Sequence, residues 1–204
     1  MKEKILKPLY SSMLSGILIG CGCLIYMSSA NPVVGSCLFS FGLITIVLRG
    51  YLLYTGKIGY AWDKEILKLI PIILVGNLLG STLLSCIVPA DSALITKSIA
   101  LTELKLVKSF WQLMFDGICC GVMMYLAVDG YRIKNNLLLL VFPVMIFILC
   151  GFEHSIADML YLACAGQLYT IEGMKFIGIV ALGNAIGALF FSGFHREITK
   201  GYIK

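Results

Sequence analysis

Long apolar runs separated by short polar segments dominate the sequence. Runs with at most one charged residue cover residues 9–28, 33–48, 69–88, 109–128, 136–151 and 174–194. A helix needs about 20 apolar residues to cross the hydrocarbon core of a bilayer. The pattern therefore predicts an all-α membrane protein with six transmembrane helices, which form a single domain over residues 1–204.

Two of the six runs are interrupted. The second run stops at Arg49 and Gly50, and the irregular stretch 51–56 follows it. The fifth run stops at Gly151, and a short apolar piece at 159–166 completes it. Backbone that is not helical is tolerated at membrane depth only where it is buried or lines a polar cavity. The sequence therefore predicts broken second and fifth helices beside a polar pathway.

The two halves of the chain resemble each other. GNLLG at 76–80 lies in the third run and GNAIG at 183–187 lies in the sixth, while the interrupted run is the second of each half. Three helices per half is an odd number, so the two halves, about 9–100 and 101–195, are predicted to be inverted repeats. Inverted triplets with broken middle helices are typical of channels and transporters.

Composition and charge agree with a membrane protein. The chain is 59% hydrophobic and 13% charged, with a mean hydropathy of +0.94, whereas a soluble domain has about 25% charged residues. This excludes a soluble enzyme and a disordered chain, and the scattered basic residues argue against a nucleic-acid partner. Eleven of the 16 basic residues fall on the side of the N-terminus. Both short termini are therefore predicted to be cytoplasmic, in a bacterial-type inner membrane, without a cleavable signal peptide.

Small residues recur along the apolar runs. The eight cysteines lie in or at the ends of these runs without zinc-ligand spacing, so we interpret them as packing residues and expect no metal or cofactor. Serine and glycine also recur at every fourth position, which favours close helix packing within or between subunits. These stripes are Ser12, Gly16 and Gly20, then Gly76 and Gly80, Gly117 and Gly121, and Gly183 and Gly187.

The segment GFEHSIADM at 151–159 resembles the fifth-span motif of the formate/nitrite transporter family. The segment LYTG at 53–56 is similar to the Leu-Phe-Thr motif at the family's second-span break, and the Gly-Asn pairs of the third and sixth runs match in kind. The resemblance covers roughly residues 10–195. It implies an aquaporin-like protomer, assembled as a homopentamer with one pore in each protomer.

The resemblance implies two apolar constrictions in that pore. Phe39, Leu43 and Phe147 match the family's outer constriction. Leu53 and Tyr54 match the inner one, with tyrosine in place of the usual phenylalanine.

Polar site residues are implied in the same way. His154 matches the pore-facing histidine between the constrictions, and Thr55 matches the threonine of the loop beside it. Lys105 best matches a vestibule lysine that approaches the motif glutamate, here Glu153, and Lys108 is the alternative.

Some residues depart from the family pattern. Leu52 and Gly121 replace a glutamate and an asparagine, and Asp158 replaces the asparagine after SIA. Arg49 and Asp116 are additional charges within the apolar zone, and we expect Arg49 to pair with Asp116 or with another acid. These departures affect the expected substrate more than the expected fold.

These residues together predict a bilayer channel for small monovalent anions of weak acids. Apolar constrictions penalise an ion strongly, and the cost falls when the anion takes up a proton and crosses as a neutral acid. The imidazole of His154 exchanges protons near neutral pH, so it is suited to donate or relay that proton. Formate and nitrite are the first candidate substrates, followed by hydrosulfide and similar anions. The alternative is a channel for neutral solutes such as urea, ammonia or water.

A membrane-embedded enzyme is the alternative from a different functional class. Glu153, His154 and Ser155 are adjacent in the sequence, so on a helix they point in different directions. With no other convergent set of reactive side chains, we predict that the chain is not an enzyme and has no catalytic residue.

Overall fold

The structure is a computed structural model that describes residues 2–202, with side chains described for residues 3–199. The helices are α1 (Lys2–Ser28), α2 (Pro32–Arg49), α3 (Tyr54–Lys57), α4 (Lys64–Ser85), α5 (Ala93–Leu106), α6 (Phe110–Lys134), α7 (Leu138–Leu149), α8 (Ser155–Cys164) and α9 (Ile171–Tyr202). A short 3-10 turn, Ile58–Tyr60, connects α3 towards α4. The expectation of an all-α membrane protein is confirmed.

Long apolar helices account for most of the predicted spans. Within the described residues, α1, α2, α4, α6 and α9 are long and apolar enough to cross a membrane. Helices α7 and α8 have 12 and 10 residues and are too short to cross alone. They follow each other along the chain on either side of a break, as expected for the broken fifth span. That α7 and α8 together cross the membrane as the fifth span, which would bring the number of spans to six, stays a prediction.

Several predicted boundaries were wrong. The helix expected to begin at residue 69 begins at Lys64, where Asp63 caps it by accepting from the N–H of Glu65. The chain expected to be irregular over 51–56 becomes helical again at Tyr54. Helix α5 was not predicted, because its segment is too polar to read as a span. It nevertheless packs against α8, with Ser98 and Thr102 buried.

The two halves use the same packing scheme. Helix α1 packs on α4 and α2, and α6 packs in the same manner on α9 and α7, while α2 and α7 meet in the middle. A Cβ atom added at Gly80 would lie 2.0 Å from the carbonyl oxygen of Met13, and one at Gly187 would lie 2.0 Å from that of Ile118. Glycine is required at both contacts, so the small-residue stripes act within one subunit.

Apolar side chains also cover much of the outer surface. Val33, Leu38 and Phe41 of α2 are more than half exposed, as are Phe190 and Phe194 of α9. A soluble monomer rarely exposes so much contiguous apolar surface. The surface therefore suits contact with lipid or with neighbouring subunits.

Candidate pore site at the two helix breaks

The first break follows α2 and is held by one buried asparagine. Gly50 ends the helix in the left-handed conformation, with φ of 69°. The side chain of Asn77, on α4, accepts from the N–H of Tyr54 at 2.9 Å. Its amide donates to the carbonyl oxygens of Leu52 at 3.1 Å and Ser12 at 2.7 Å. One side chain thus satisfies backbone groups that the broken helix leaves unpaired.

The second break follows α7 and repeats this arrangement. Gly151 is again left-handed, with φ of 71°. The side chain of Asn184, on α9, accepts from the N–H of Ser155 at 3.0 Å. Its amide donates to the carbonyl oxygens of Glu153 at 2.9 Å and Gly117 at 2.8 Å. The Gly-Asn pairs therefore have a definite task, namely holding the two breaks, which the sequence pattern alone did not reveal.

The matching bonds place Leu53 and His154 in equivalent positions. Each residue lies between the carbonyl and the N–H that the asparagine binds. Leu53 has φ of −107° and ψ of 131°, and His154 has φ of −107° and ψ of 107°. Both side chains are buried, with 1% and 2% of their surface exposed. One break thus presents an apolar side chain and the other an imidazole.

Three contacts fix the imidazole of His154. Its Nδ1 accepts from the N–H of Ala157 at 3.1 Å, and its Nε2 lies 2.8 Å from Thr55 Oγ1. The ring stacks on Phe147, with ring centroids 5.4 Å apart. A backbone N–H can only donate, so Nδ1 carries no proton in this arrangement. The ring is therefore neutral, with its proton on Nε2 and donated to Thr55.

The five residues matched to constrictions are all buried near the breaks. Phe39 packs edge-on against Phe147 with centroids 5.9 Å apart. The hydroxyl of Tyr54 donates to the carbonyl of Ala181 at 2.9 Å, so its polar end is occupied by backbone. The exposed fractions of Phe39, Leu43, Phe147, Leu53 and Tyr54 range from 1% to 5%. A polar solute between these side chains would lose its contact with water.

Two cavities approach these apolar residues. The cavity that we name the His154 cavity has a volume of about 210 Å³ and is lined by Phe39, Phe147, Lys105 and His154 among others. The Leu53 cavity has a volume of about 100 Å³ and is lined by Leu43 and Leu53 among others. Phe39 and Leu43 are about 6 Å apart along α2. A thin apolar barrier therefore separates the two cavities, and the structure groups Leu43 with Leu53.

Charged residues gather beside the second break in what we name the lysine cluster, which is formed by Lys105, Lys108, Asp116, Glu153 and Asp158. Lys105 Nζ bonds to Glu153 and lies 2.9 Å from Asp158 Oδ1. Lys108 Nζ lies 2.7 Å from Glu153 Oε1 and 2.6 Å from Asp116 Oδ2. Both candidate lysines therefore contact Glu153, but Lys105 is the one that also lines the His154 cavity.

The expected pairing of Arg49 with Asp116 was wrong. Asp116 is bound by Lys108, and Arg49 is exposed at the end of α2. Gly50, next to Arg49, lines the Leu53 cavity together with Arg132. Asp116 and Arg132 are about 24 Å apart along α6, so Arg49 lies towards the opposite end of that helix. Among the described side chains, no acid forms an ion pair with Arg49.

The described part of the chain contains no group of side chains that could bind a metal ion. Among side chains 3–199, no three His, Cys, Asp or Glu residues are close enough to hold a metal ion. The eight cysteines are free thiols. The polar groups at the breaks take part in hydrogen bonds and ion pairs.

The chain is similar in sequence to known transporters. The chain is 27% identical over 190 residues to the uncharacterized transporter YrhG of Bacillus subtilis, covering 81% of this chain and 70% of that protein. It is 25% identical over 219 residues to the nitrite transporter NirC of Escherichia coli, covering 90% and 80%.

Solved structures show the same fold. A pentameric formate channel with formate bound matches with a TM-score of 0.84 and 24% identity over all of both chains. A structure described as an FNT family ion channel matches with a TM-score of 0.82 and 22% identity over 95% of this chain and 90% of that one. The family profile of the formate/nitrite transporters matches residues 1–196. This chain therefore belongs to the formate/nitrite transporter family, a family of membrane channels and transporters rather than enzymes.

Proposed function

We propose that this chain forms a homopentameric channel for small monovalent anions of weak acids, with formate or nitrite as the first candidates and hydrosulfide next. Its relatives include a protein described as a nitrite transporter, and the matched structure is described as a pentameric formate channel. The Lys and Arg distribution supports an inner membrane location with both termini in the cytoplasm. On that orientation, the His154 cavity opens to the outer side.

One observation carries the proposal. His154 is the polar residue at the apolar barrier, where its ring lines the His154 cavity and stacks on Phe147. A bare anion between Phe39 and Phe147 would lose its hydration without an opposite charge to replace it, which is costly. A neutral acid avoids most of that cost. The substrate is therefore expected to meet a proton in the His154 cavity before it crosses.

His154 and Thr55 form the polar contact that the substrate meets there. The proton on Nε2 is held by Thr55 Oγ1 at 2.8 Å, and a small rotation of the threonine frees it for a substrate oxygen. To relay a proton, the ring must also accept one, and its Nδ1 can do so only after it releases the N–H of Ala157. His154 is thus a hydrogen-bond donor in the resting state and a relay once that bond opens.

Transport by reconstituted protein tests the proposal. Uptake of formate, nitrite, hydrosulfide and urea into proteoliposomes is measured between about pH 5 and 8, the range in which imidazole titrates. Wild type is compared with His154→Ala and His154→Asn, and protein-free liposomes correct for passive diffusion. The proposal expects anion uptake that rises as pH falls and that drops sharply in His154→Ala. Native mass spectrometry gives the oligomeric state, with a pentamer expected.

One observation favours the alternative of a channel for neutral solutes. The carboxylates of Glu153 and Asp158 both contact Lys105, so the lysine charge available to attract an anion is cancelled. Urea or water uptake that is independent of pH and of His154, without anion uptake, would support that alternative and reject the proposed function.

A further inference from the structure

The lysine cluster contains more acidic than basic groups. Two ammonium groups, on Lys105 and Lys108, face three carboxyl groups, on Glu153, Asp158 and Asp116. Glu153 and Asp158 each expose only 1% of their side chains. An excess negative charge buried in this way is strongly disfavoured within a membrane. One of the three carboxyl groups is therefore expected to hold a proton.

The bonding of each oxygen indicates which carboxyl group that is. Glu153 uses both oxygens to bind the two lysines. Asp116 binds Lys108 and is 16% exposed, so water reaches it. Asp158 binds Lys105 through Oδ1, but its Oδ2 is buried and has no hydrogen-bond partner among the described residues. An ionised oxygen without a partner is costly to bury, whereas a protonated one is a donor that can be used.

The neighbours of Asp158 support this assignment. Groups that interact with it electrostatically come from α1, α5, α6, the second break and α8, namely Cys23, Lys105, Cys120, Glu153 and Tyr161. The thiols and the phenol are neutral near pH 7. His154, whose carbonyl accepts from the N–H of Asp158, is neutral for the reason given above. Lys105 and Glu153 therefore set the charge around Asp158, and they cancel each other.

We propose that Asp158 holds a proton on Oδ2 and is the acid that protonates the substrate anion in the His154 cavity. This inference rests on the proposed function, in which a weak-acid anion crosses as the neutral acid. Asp158 lines the same cavity as His154 and Lys105, so an anion in that cavity lies within reach of all three.

The proton balance closes without a further reactant. The O–H bond of Asp158 breaks and an O–H bond forms on the substrate, or an S–H bond for hydrosulfide. The carboxylate that remains is stabilised by Lys105, 2.9 Å from Oδ1. A proton from water on the same side of the barrier then restores the acid. His154 guides the neutral acid past Phe39 and Phe147 by hydrogen bonding, without having to give up its only proton.

Infrared spectroscopy tests the protonation state without any transport. A protonated carboxylic acid has a C=O stretching band that a carboxylate lacks. We expect that band in the wild-type protein at neutral pH, its loss in Asp158→Asn and its retention in Asp116→Asn, the matched control from the same cluster. Absence of the band in wild type, or its loss in Glu153→Gln with retention in Asp158→Asn, would overturn the assignment.

Proton uptake during transport tests the role. In proteoliposomes that contain a pH-sensitive dye, Asp158→Asn should reduce the proton uptake that accompanies the anion by about a hundredfold, the lower end of what a positioned acid contributes. Asp158→Glu should retain a large part of it, and His154→Asn should retain its pH dependence. Retained uptake in Asp158→Asn, with pH dependence lost in His154→Asn, would make His154 the proton source and reject the inference.

The two proposals fail in distinguishable ways. Anion transport without an infrared band from Asp158 would reject this inference and leave the proposed function in place. A band from Asp158 in a protein that moves no weak-acid anion would reject the proposed function, and donation to the substrate with it. Elution of Asp158→Asn as the wild-type oligomer shows that the variant is folded.

Discussion

The two helix breaks have the same backbone and different chemistry. In each, a left-handed glycine ends a helix, and a buried asparagine from another helix binds the carbonyl and the N–H on either side of one central residue. That central residue is Leu53 in the first break and His154 in the second. The shared scaffold shows that the imidazole is not needed to form a break, so its presence points to a task in transport.

The surroundings of the two breaks differ in charge as well. The Leu53 cavity is lined by Lys57 and Arg132, and no carboxylate is among its lining residues in the described part of the chain. The His154 cavity is lined by Lys105 and Asp158, and the charge of Lys105 is balanced by its ion pair with Glu153. On the proposed function, one cavity attracts anions and the other exchanges a proton with them. A repeated backbone would then hold two different steps of one transport process.

Removing the side chain of Asn77 or of Asn184 is expected to have the largest effect, which is a loss of stability. Asn77→Ala or Asn184→Ala leaves two buried backbone groups at its break without a partner, the carbonyl and the N–H on either side of the central residue, at about 1–3 kcal/mol for each group. Because the two networks match bond for bond, both variants should lose several kcal/mol of stability and fail to assemble in similar measure. Thermal unfolding in detergent measures this loss. Asn136→Ala is the control, because it removes only one exposed hydrogen bond, from the N–H of Leu138, and should cost about 1 kcal/mol. A large loss in one variant alone would show that the breaks are not mechanically equivalent.

Converting the second break into the first should impair transport and preserve the fold. His154→Leu places in the second break the residue that the same backbone already accepts at Leu53. Anion uptake should fall by about tenfold, because the hydrogen bond that guides the substrate across the barrier, about 1.5 kcal/mol, is lost. His154→Asn separates the ring from its capping role, since asparagine can still accept from the N–H of Ala157. Uptake near the wild-type level in His154→Leu would remove the imidazole from the mechanism.

The spans and the breaks could be predicted from the sequence because each depends on a local pattern. A long run of apolar residues indicates a helix that lies in lipid. Gly50 and Gly151 indicate where helices end, because both adopt the left-handed conformation. The motif around His154 also identified the family. These features need no knowledge of which helices are neighbours.

Other features could not be predicted because they depend on the packing of distant segments. The amide of Asn77 binds backbone on α1 and at the first break, which only the folded chain brings together. Helix α5 was not predicted because its polar residues do not form an apolar run, although Ser98 and Thr102 are buried. The partner of Asp116 was misassigned because the sequence does not show that Lys108 reaches it and Arg49 does not.

Substitutions at equivalent glycine contacts in the two halves should cost similar amounts of stability, and less than the loss of either asparagine. Gly80→Ala and Gly187→Ala each force a methyl group against a carbonyl oxygen 2.0 Å away. Overpacking of this kind costs about 1–3 kcal/mol. In Gly178→Ala, the matched control in α9, the added methyl group meets no described atom within 4 Å. Thermal unfolding should separate the two contact variants from the control, and equal melting of all three would contradict the tight helix packing seen within each half.

Removing positive charge from the lining of the Leu53 cavity should have the smallest effect, which is a salt-dependent fall in the rate of anion uptake. Lys57→Gln and Arg132→Gln each remove one positive charge from its lining. We expect the initial rate of anion uptake to fall a few-fold at low ionic strength, because a charged cleft raises the local concentration of anions. The difference should shrink in about 0.1 M salt, where the screening length is about 10 Å. Lys68→Gln, an exposed lysine already paired with Glu65, is the control. If the two lining variants lose uptake equally at all salt concentrations, these residues act through structure, and the electrical contrast between the two cavities has no role in transport.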